Sequence, residues 1–267
     1  MLRKLINTYL ENNIEDKNDV ALLFSGGMDS LSILLSCLDV GIKPNLYVFR
    51  LNNYVSEDSI YSKKISQIYN LNLYEIVLDV NKINLISDIE KIVKLFNVKK
   101  KTQIQCIQPF LYVIPKIKEN YILTGLCADD LYGTPRSMAK HAKNIEYFKE
   151  IRINAFNNEE SSSYKFIKQL SEMNNKRLIA PYKESIDIYN YMISKNYKEL
   201  HSPKQKYIMY SDYEDELTKN NIYRRNSNLQ CNSKIREWHD ELLKSEINSE
   251  GFKSVVGIYN KIHNKLK

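Results

Sequence analysis

Along the first half of the chain, short apolar runs alternate with segments whose apolar residues recur every three or four positions. Val20-Ala21-Leu22-Leu23-Phe24 is a continuous apolar run ending at Ser25-Gly26-Gly27, the pattern of a strand buried on both faces. From Asp29 to Val40, Leu31, Leu34, Leu35 and Leu38 share one side of a helix that Gly41 stops. Leu46 to Phe49 reads as a second strand, and Ser56-Glu57-Asp58 opens a helix reaching Asn70. Leu73 to Leu78 is a third strand, Asn81 to Phe96 a third helix, and a helix from Pro109 to Lys118 leads to a strand at Tyr121 to Thr124. This order predicts an α/β fold: a Rossmann-like, doubly wound parallel sheet with right-handed crossovers, covered on both faces. Ligands of such sheets bind beyond the carboxyl ends of the strands. Two unusual loops fall there, after Phe24 and after Thr124.

From about residue 135 the strand pattern fades into polar, Tyr-rich, mostly helical sequence. The reading therefore divides the chain into an α/β core over residues 1–134 and a mostly helical part over 135–267. Asn157 to Ser163 is the expected flexible loop, and Lys99-Lys100-Lys101 a solvated one.

Composition adds exclusions. With 43% hydrophobic and 27% charged residues the chain resembles a globular protein, and no apolar run reaches the roughly 20 residues that cross a bilayer. The start, MLRKLINTYLENN, is an amphipathic helix and not a signal peptide, so no membrane partner and a cytoplasmic location are expected. Cys37, Cys106, Cys127 and Cys231 form no CxxC pair, which argues against a zinc ribbon, an iron–sulfur site or a disulfide framework. His141, His201, His239 and His263 show no spacing of a metal site or triad. A net charge of +7 leaves a nucleic-acid partner open.

The chemistry concentrates in strand–Ser25-Gly26-Gly27-Met28-Asp29-Ser30–helix. Glycines let backbone amides approach an oxyanion, and the helix start offers further amides and the positive end of its dipole. Ser25, Gly26, Gly27, Asp29 and Ser30 thus form a candidate pocket for the β,γ-phosphates of ATP, with Asp29 as a cap or Mg²⁺ ligand. There is no GxxxxGK[ST] and no GxGxxG, which removes the P-loop and dinucleotide alternatives.

Ser-Gly-Gly-x-Asp-Ser after a first strand resembles the signature of the PP-loop, or N-type, ATP pyrophosphatases. The second loop, Leu123-Thr124-Gly125-Leu126-Cys127-Ala128-Asp129-Asp130-Leu131-Tyr132-Gly133, resembles the asparagine-synthetase element Leu-Ser-Gly-Glu-Gly-Ala-Asp-Glu-Leu-Phe-Gly-Gly. Fainter likenesses are Val55 to Asp58, Gln108 to Leu111, Ile179 to Glu184, Ser202 to Ile208 and Tyr223-Arg224-Arg225. The resemblance implies adenylation of a carboxylate or similar oxygen with release of pyrophosphate, then displacement of AMP by an amine. It further implies Gly125 at the nucleotide, Asp29, Asp129 and Asp130 toward Mg²⁺, and Asp129 with Lys204 or Lys206 as catalytic groups.

Departures bear on the substrate. Leu126 stands where the family has a glutamate, and Asn226 lies near the position of its usual last-loop lysine. The glycine loop is reached by residue 25, leaving no room for a glutaminase, so the expected nitrogen source is ammonia or an amine, supplied free or by a separate amidase. Modification of a nucleotide or nucleic-acid base, and nucleotide binding without turnover, are the alternatives.

Overall fold

The computed structural model describes residues 1–79, 81–98, 100–158, 163–224 and 229–266. Five strands, β1 (Val20–Leu23), β2 (Asn45–Leu51), β3 (Leu73–Leu78), β4 (Tyr121–Leu123) and β5 (Arg177–Ile179), pair in the order β3-β2-β1-β4-β5. Every pair is parallel, with Ala21 opposite Asn45 and Val20 opposite Tyr121. This is the Rossmann order: the chain winds outward from β1 in one direction and then from β4 in the other. A crevice is left where the direction changes, beyond the ends of β1 and β4.

The continuous apolar run of β1 is explained by its place at the centre of the sheet. All four residues are buried, and their side chains alternate between two cores. Val20 and Leu22 join one cluster, Ala21 and Leu23 the other. The first cluster is covered by α1 (Leu2–Asn13), whose Leu2, Ile6 and Leu10 recur at helical spacing with no exposed surface, and by α2 (Met28–Asp39). The second is covered by α4 (Lys82–Phe96) and, from the far end of the chain, by helices Ile235–Leu242 and Val255–Lys265. Between β2 and β3 runs α3 (Glu57–Tyr69), capped by the Ser56 hydroxyl, which accepts from the Ser59 amide as the Ser-Glu-Asp start predicts.

Two local readings change, and one short strand is added. The helix expected from Pro109 to Lys118 is a helix Phe110–Val113 followed by a 3₁₀ turn Ile114–Lys116, because Pro115 supplies no amide to continue the ladder. Lys101 begins a helix to Ile107 instead of lying in a solvated loop, and its ammonium is 3.5 Å from Asp240. The second half contributes β5, three residues too short to show a period, which completes the sheet beside β4. Residues of both halves therefore fill both cores. Most of the expected flexible stretch, residues 159–162, lies outside the described residues, as does Lys99.

Candidate nucleotide site

The loop after β1 turns at Gly26, where φ is +66° and an added Cβ would lie 2.8 Å from the Tyr61 Cβ, so both backbone and space require glycine. Ser30 ties the loop together: its hydroxyl donates to the Gly27 carbonyl at 3.1 Å and accepts from the Ser25 amide at 3.3 Å. Gly27 is the N-cap of α2 and has no side chain, so the first turn is left for an outside acceptor.

The loop after β4 approaches the first one backbone to backbone. A Cβ on Gly125 would lie 2.6 Å from the Asp29 carbonyl carbon and 2.8 Å from the Ser30 nitrogen. Cys127 then adopts a left-handed conformation (φ 69°) and caps a short helix, Ala128–Tyr132, whose first turn carries Asp129. The Thr134 hydroxyl donates to Asp129 Oδ1 at 2.6 Å.

A third segment meets both loops. Lys206 Nζ lies 2.5 and 2.6 Å from the two oxygens of Asp29 and 2.8 Å from Asp129 Oδ1. Its side chain is 1% exposed, against 19% for Asp29 and 47% for Asp129, so the carboxylates rim an opening and the ammonium lies beneath them. The Tyr132 ring is 5.2 Å from the same ammonium. Burial pulls the lysine's pKa down, but the two carboxylates outweigh it and the net shift is upward, so Lys206 stays charged. Burial pushes the Asp29 carboxyl up to about 6, against the pull of Lys206.

These groups border a cavity of about 270 Å³ at the switch point of the sheet. Its lining includes Ser25, Asp29 and Asp129 together with Tyr47, Phe49 and Phe110. Leu126 and Cys127 belong to its wall.

Of the candidates named from sequence, Ser25, Asp29, Ser30, Gly125 and Asp129 line this cavity, while Gly26 and Gly27 shape the turn between them. Lys206 is brought to the carboxylates; Lys204 is not. Its ammonium lies 3.7 Å from the centre of the Tyr210 ring and 5.4 Å from that of Tyr223. Asp130 follows Asp129 on a helix, so the two side chains diverge, and it does not line the cavity. Burial and the neighbouring Asp129 push its carboxyl up to about 6, with Lys183 opposing. Arg225 and Asn226 lie outside the described residues.

Two arrangements join residues far apart in the chain. Asp58 and Arg224 pair at 2.6 Å, with the Asn232 amide donating to the same Asp58 oxygen at 3.0 Å. Asp58 and Asn232 both reach the cavity, so a segment 174 residues further along the chain closes its side. His201 stands between Lys206 and the helix carrying Asp129: its Nε2 is 2.8 Å from the Tyr132 carbonyl, and its Nδ1 accepts from the Lys206 amide at 3.1 Å. Glu184, in the stretch resembling the family's Val-Pro-Phe-Leu-Asp, accepts from Tyr9, Tyr164 and the Ala180 amide and braces β5.

Solved structures to which the chain shows some similarity include the following two. One is a predicted subunit of a tRNA methyltransferase from Methanocaldococcus jannaschii, at 13% identity and TM-score 0.37, covering 79% of this chain and 94% of that one. The other is the U34-tRNA thiolase NcsA from Methanococcus maripaludis with its [4Fe-4S] cluster, at 17% identity and TM-score 0.37, covering 91% and 78%. No curated protein matches the sequence. The asparagine synthase family model matches residues 1–242, a span that holds both glycine loops, Lys206 and the Asp58–Arg224 pair, and the chain belongs to that family.

Proposed function

We propose that the protein is an ATP-dependent adenylating ligase. An oxygen of a carboxylate, or a comparable oxygen of a small-molecule or nucleotide substrate, attacks the α-phosphorus of ATP. The bond from that phosphorus to the α,β-bridging oxygen breaks, and pyrophosphate leaves. Ammonia or an amine, free or delivered by a separate amidase, then attacks the acyl carbon; AMP departs with the bonding electrons and the nitrogen loses a proton, leaving an amide.

One observation carries this reading: the Lys206 ammonium held 2.5–2.8 Å from two carboxylates that belong to two glycine loops at the switch point. A fixed cation there meets the charge that develops on departing pyrophosphate, and it needs no reorganisation as the charge forms. Amides at the start of α2 and the Ser25 hydroxyl hold the same phosphates, while Ser30 keeps the loop in shape.

The donor set suits Mg²⁺. Among the described residues no three acidic, His or Cys side chains converge, and Mg²⁺ in phosphate sites is held by one or two carboxylates with substrate phosphates supplying the rest. Asp29 and Asp129 are those carboxylates, and the bound ion would neutralise triphosphate charge.

Leu126 favours a second reading, in which a base of a nucleotide or nucleic acid takes the place of the carboxylate. An apolar side chain in the cavity wall suits a flat, weakly charged acceptor better than an amino acid's ammonium group. The test of the shared chemistry is product analysis after incubation with ATP and Mg²⁺ and a panel of acids and nucleotides. AMP and pyrophosphate support the reading; ADP and phosphate as main products would sink it.

A further inference from the structure

We propose that His201 is a positioning residue that locks the Lys206 backbone to the helix bearing Asp129, and so sets where the ammonium stands relative to the departing pyrophosphate. This rests on the reading of Lys206 given above.

Lys206 occupies a costly conformation. It is the N-cap of the helix Tyr207–Asp212 with φ 57° and ψ 43°, a left-handed geometry that a non-glycine residue holds only when its surroundings enforce it. Its side chain is simultaneously buried and ion-paired, so a rotation of this backbone unit would swing the ammonium away from Asp29. The amide of that unit has one hydrogen-bond acceptor among the described residues, His201 Nδ1 at 3.1 Å.

The other edge of the imidazole fixes the second half of the link. Nε2 carries the proton and donates to the Tyr132 carbonyl at 2.8 Å, which leaves Nδ1 as the acceptor. Tyr132 ends the short helix that begins at Ala128 and carries Asp129. Arg152, fully buried, donates to the Leu131 carbonyl of the same helix and anchors it to the carbonyls of Met192 and Lys195. The imidazole therefore joins a braced helix to a strained residue. Its orientation is held by the Tyr197 ring at 4.6 Å and the Tyr132 ring at 6.1 Å.

The charged groups around the ring favour the neutral form this link requires. Burial lowers the imidazole's pKa most, the Tyr132 carbonyl opposes it, the charges of Lys206 and Arg152 lower it further, and Asp129 opposes them. An imidazolium has protons on both nitrogens and cannot accept the Lys206 amide.

The test measures binding of inorganic pyrophosphate with Mg²⁺ by calorimetry for the wild-type chain, Lys206→Met, His201→Phe and the double variant. Phenylalanine keeps the ring stack and removes both hydrogen bonds. His201→Phe should weaken binding about tenfold to a hundredfold, as small displacements of a catalytic group do. The double variant should be no weaker than Lys206→Met alone, because one residue acts through the other. His201→Asn, whose Oδ1 replaces Nδ1 as acceptor, should recover most of the loss. Additive losses in the double variant, or equal losses for Asn and Phe, overturn the role of His201. Wild-type affinity in Lys206→Met instead overturns the reading of the lysine. If His201→Phe does not fold, His201→Gln, which keeps the Nε2-side donor and loses the acceptor, takes its place with the same outcomes.

Discussion

Gly125 lies so close to Asp29 that a methyl group on its Cα would come within 2.6 Å of the Asp29 carbonyl carbon. The atoms in the way are backbone, at the first turn of α2, so they cannot swing aside as a side chain would. The distance between the two glycine loops is therefore set by the absence of a side chain at one position.

Gly125→Ala should separate the loops. We expect a stability loss of about 1–3 kcal/mol, the usual cost of forcing a carbon into a packed contact. Mg²⁺–ATP affinity should fall by at least about tenfold, because Asp29 and Asp129 would no longer meet at Lys206. Denaturant titration and calorimetry measure the two effects, and unchanged nucleotide affinity in a folded variant would show that the loop spacing is immaterial.

The two lysines distinguished by the fold should behave differently. Lys206→Met should lose pyrophosphate-forming turnover by about 100-fold or more, in line with removal of a preorganised charge. Lys204→Ala should keep rates near wild type, since its ammonium rests on Tyr210 and Tyr223. Asp29→Asn and Asp129→Asn should each abolish turnover in a folded protein. Equal rates for the two lysine variants would contradict the assignment of Lys206.

Leu126 bears on the substrate. A buried ammonium beside it would lack a partner at a cost of several kcal/mol, about 1–3 kcal/mol of which a hydrogen-bonding side chain would recover. Aspartate should accordingly support little ATP–pyrophosphate exchange in the wild type and more in Leu126→Glu. Brisk aspartate-dependent exchange by the wild-type protein, with asparagine formed, would refute this reading of the wall.

His239 gives a pH dependence that does not involve the site. It is buried between Trp238 and Tyr259, with Nδ1 2.7 Å from the Tyr259 hydroxyl. Burial, aided by the charge of Lys101, lowers its pKa to about 3. The unfolded value is about 6.5, so the folded state binds fewer protons between these limits. The contribution is complete above pH 6.5 and is lost as pH falls toward 3, at up to about 1.4 kcal/mol per unit. Urea titrations at pH 7 and pH 5 should show a wild-type loss about 2 kcal/mol larger than that of His239→Phe. Equal losses would mean that the imidazole is already charged in the fold.

The parallel sheet and both glycine loops were legible in the sequence for a local reason. A central strand buried on both faces must be apolar throughout, as Val20 to Leu23 is, and a turn with φ +66° beneath another helix must be glycine, as Gly26 is. Such constraints act on neighbouring residues, so they leave a readable pattern. The pairing of Ser56 with the Ser59 amide and the placement of Asp29 in the first turn of α2 are of the same kind.

What only the tertiary structure decided has partners far apart in the chain. Lys204 and Lys206 are equivalent as sequence, and the choice between them depends on the left-handed turn at Lys206 directing one ammonium inward across 177 residues to Asp29. Asp129 and Asp130 are likewise adjacent carboxylates, separated because successive residues of a helix point in different directions. The strand β5 has three residues and no period of its own, and it exists because β4 offers an unpaired edge. His201 carries no motif, since an acceptor for one backbone amide and a donor to one carbonyl can be supplied by many spacings. Only the close approach of residues 132, 201 and 206 in the folded chain makes it part of the site.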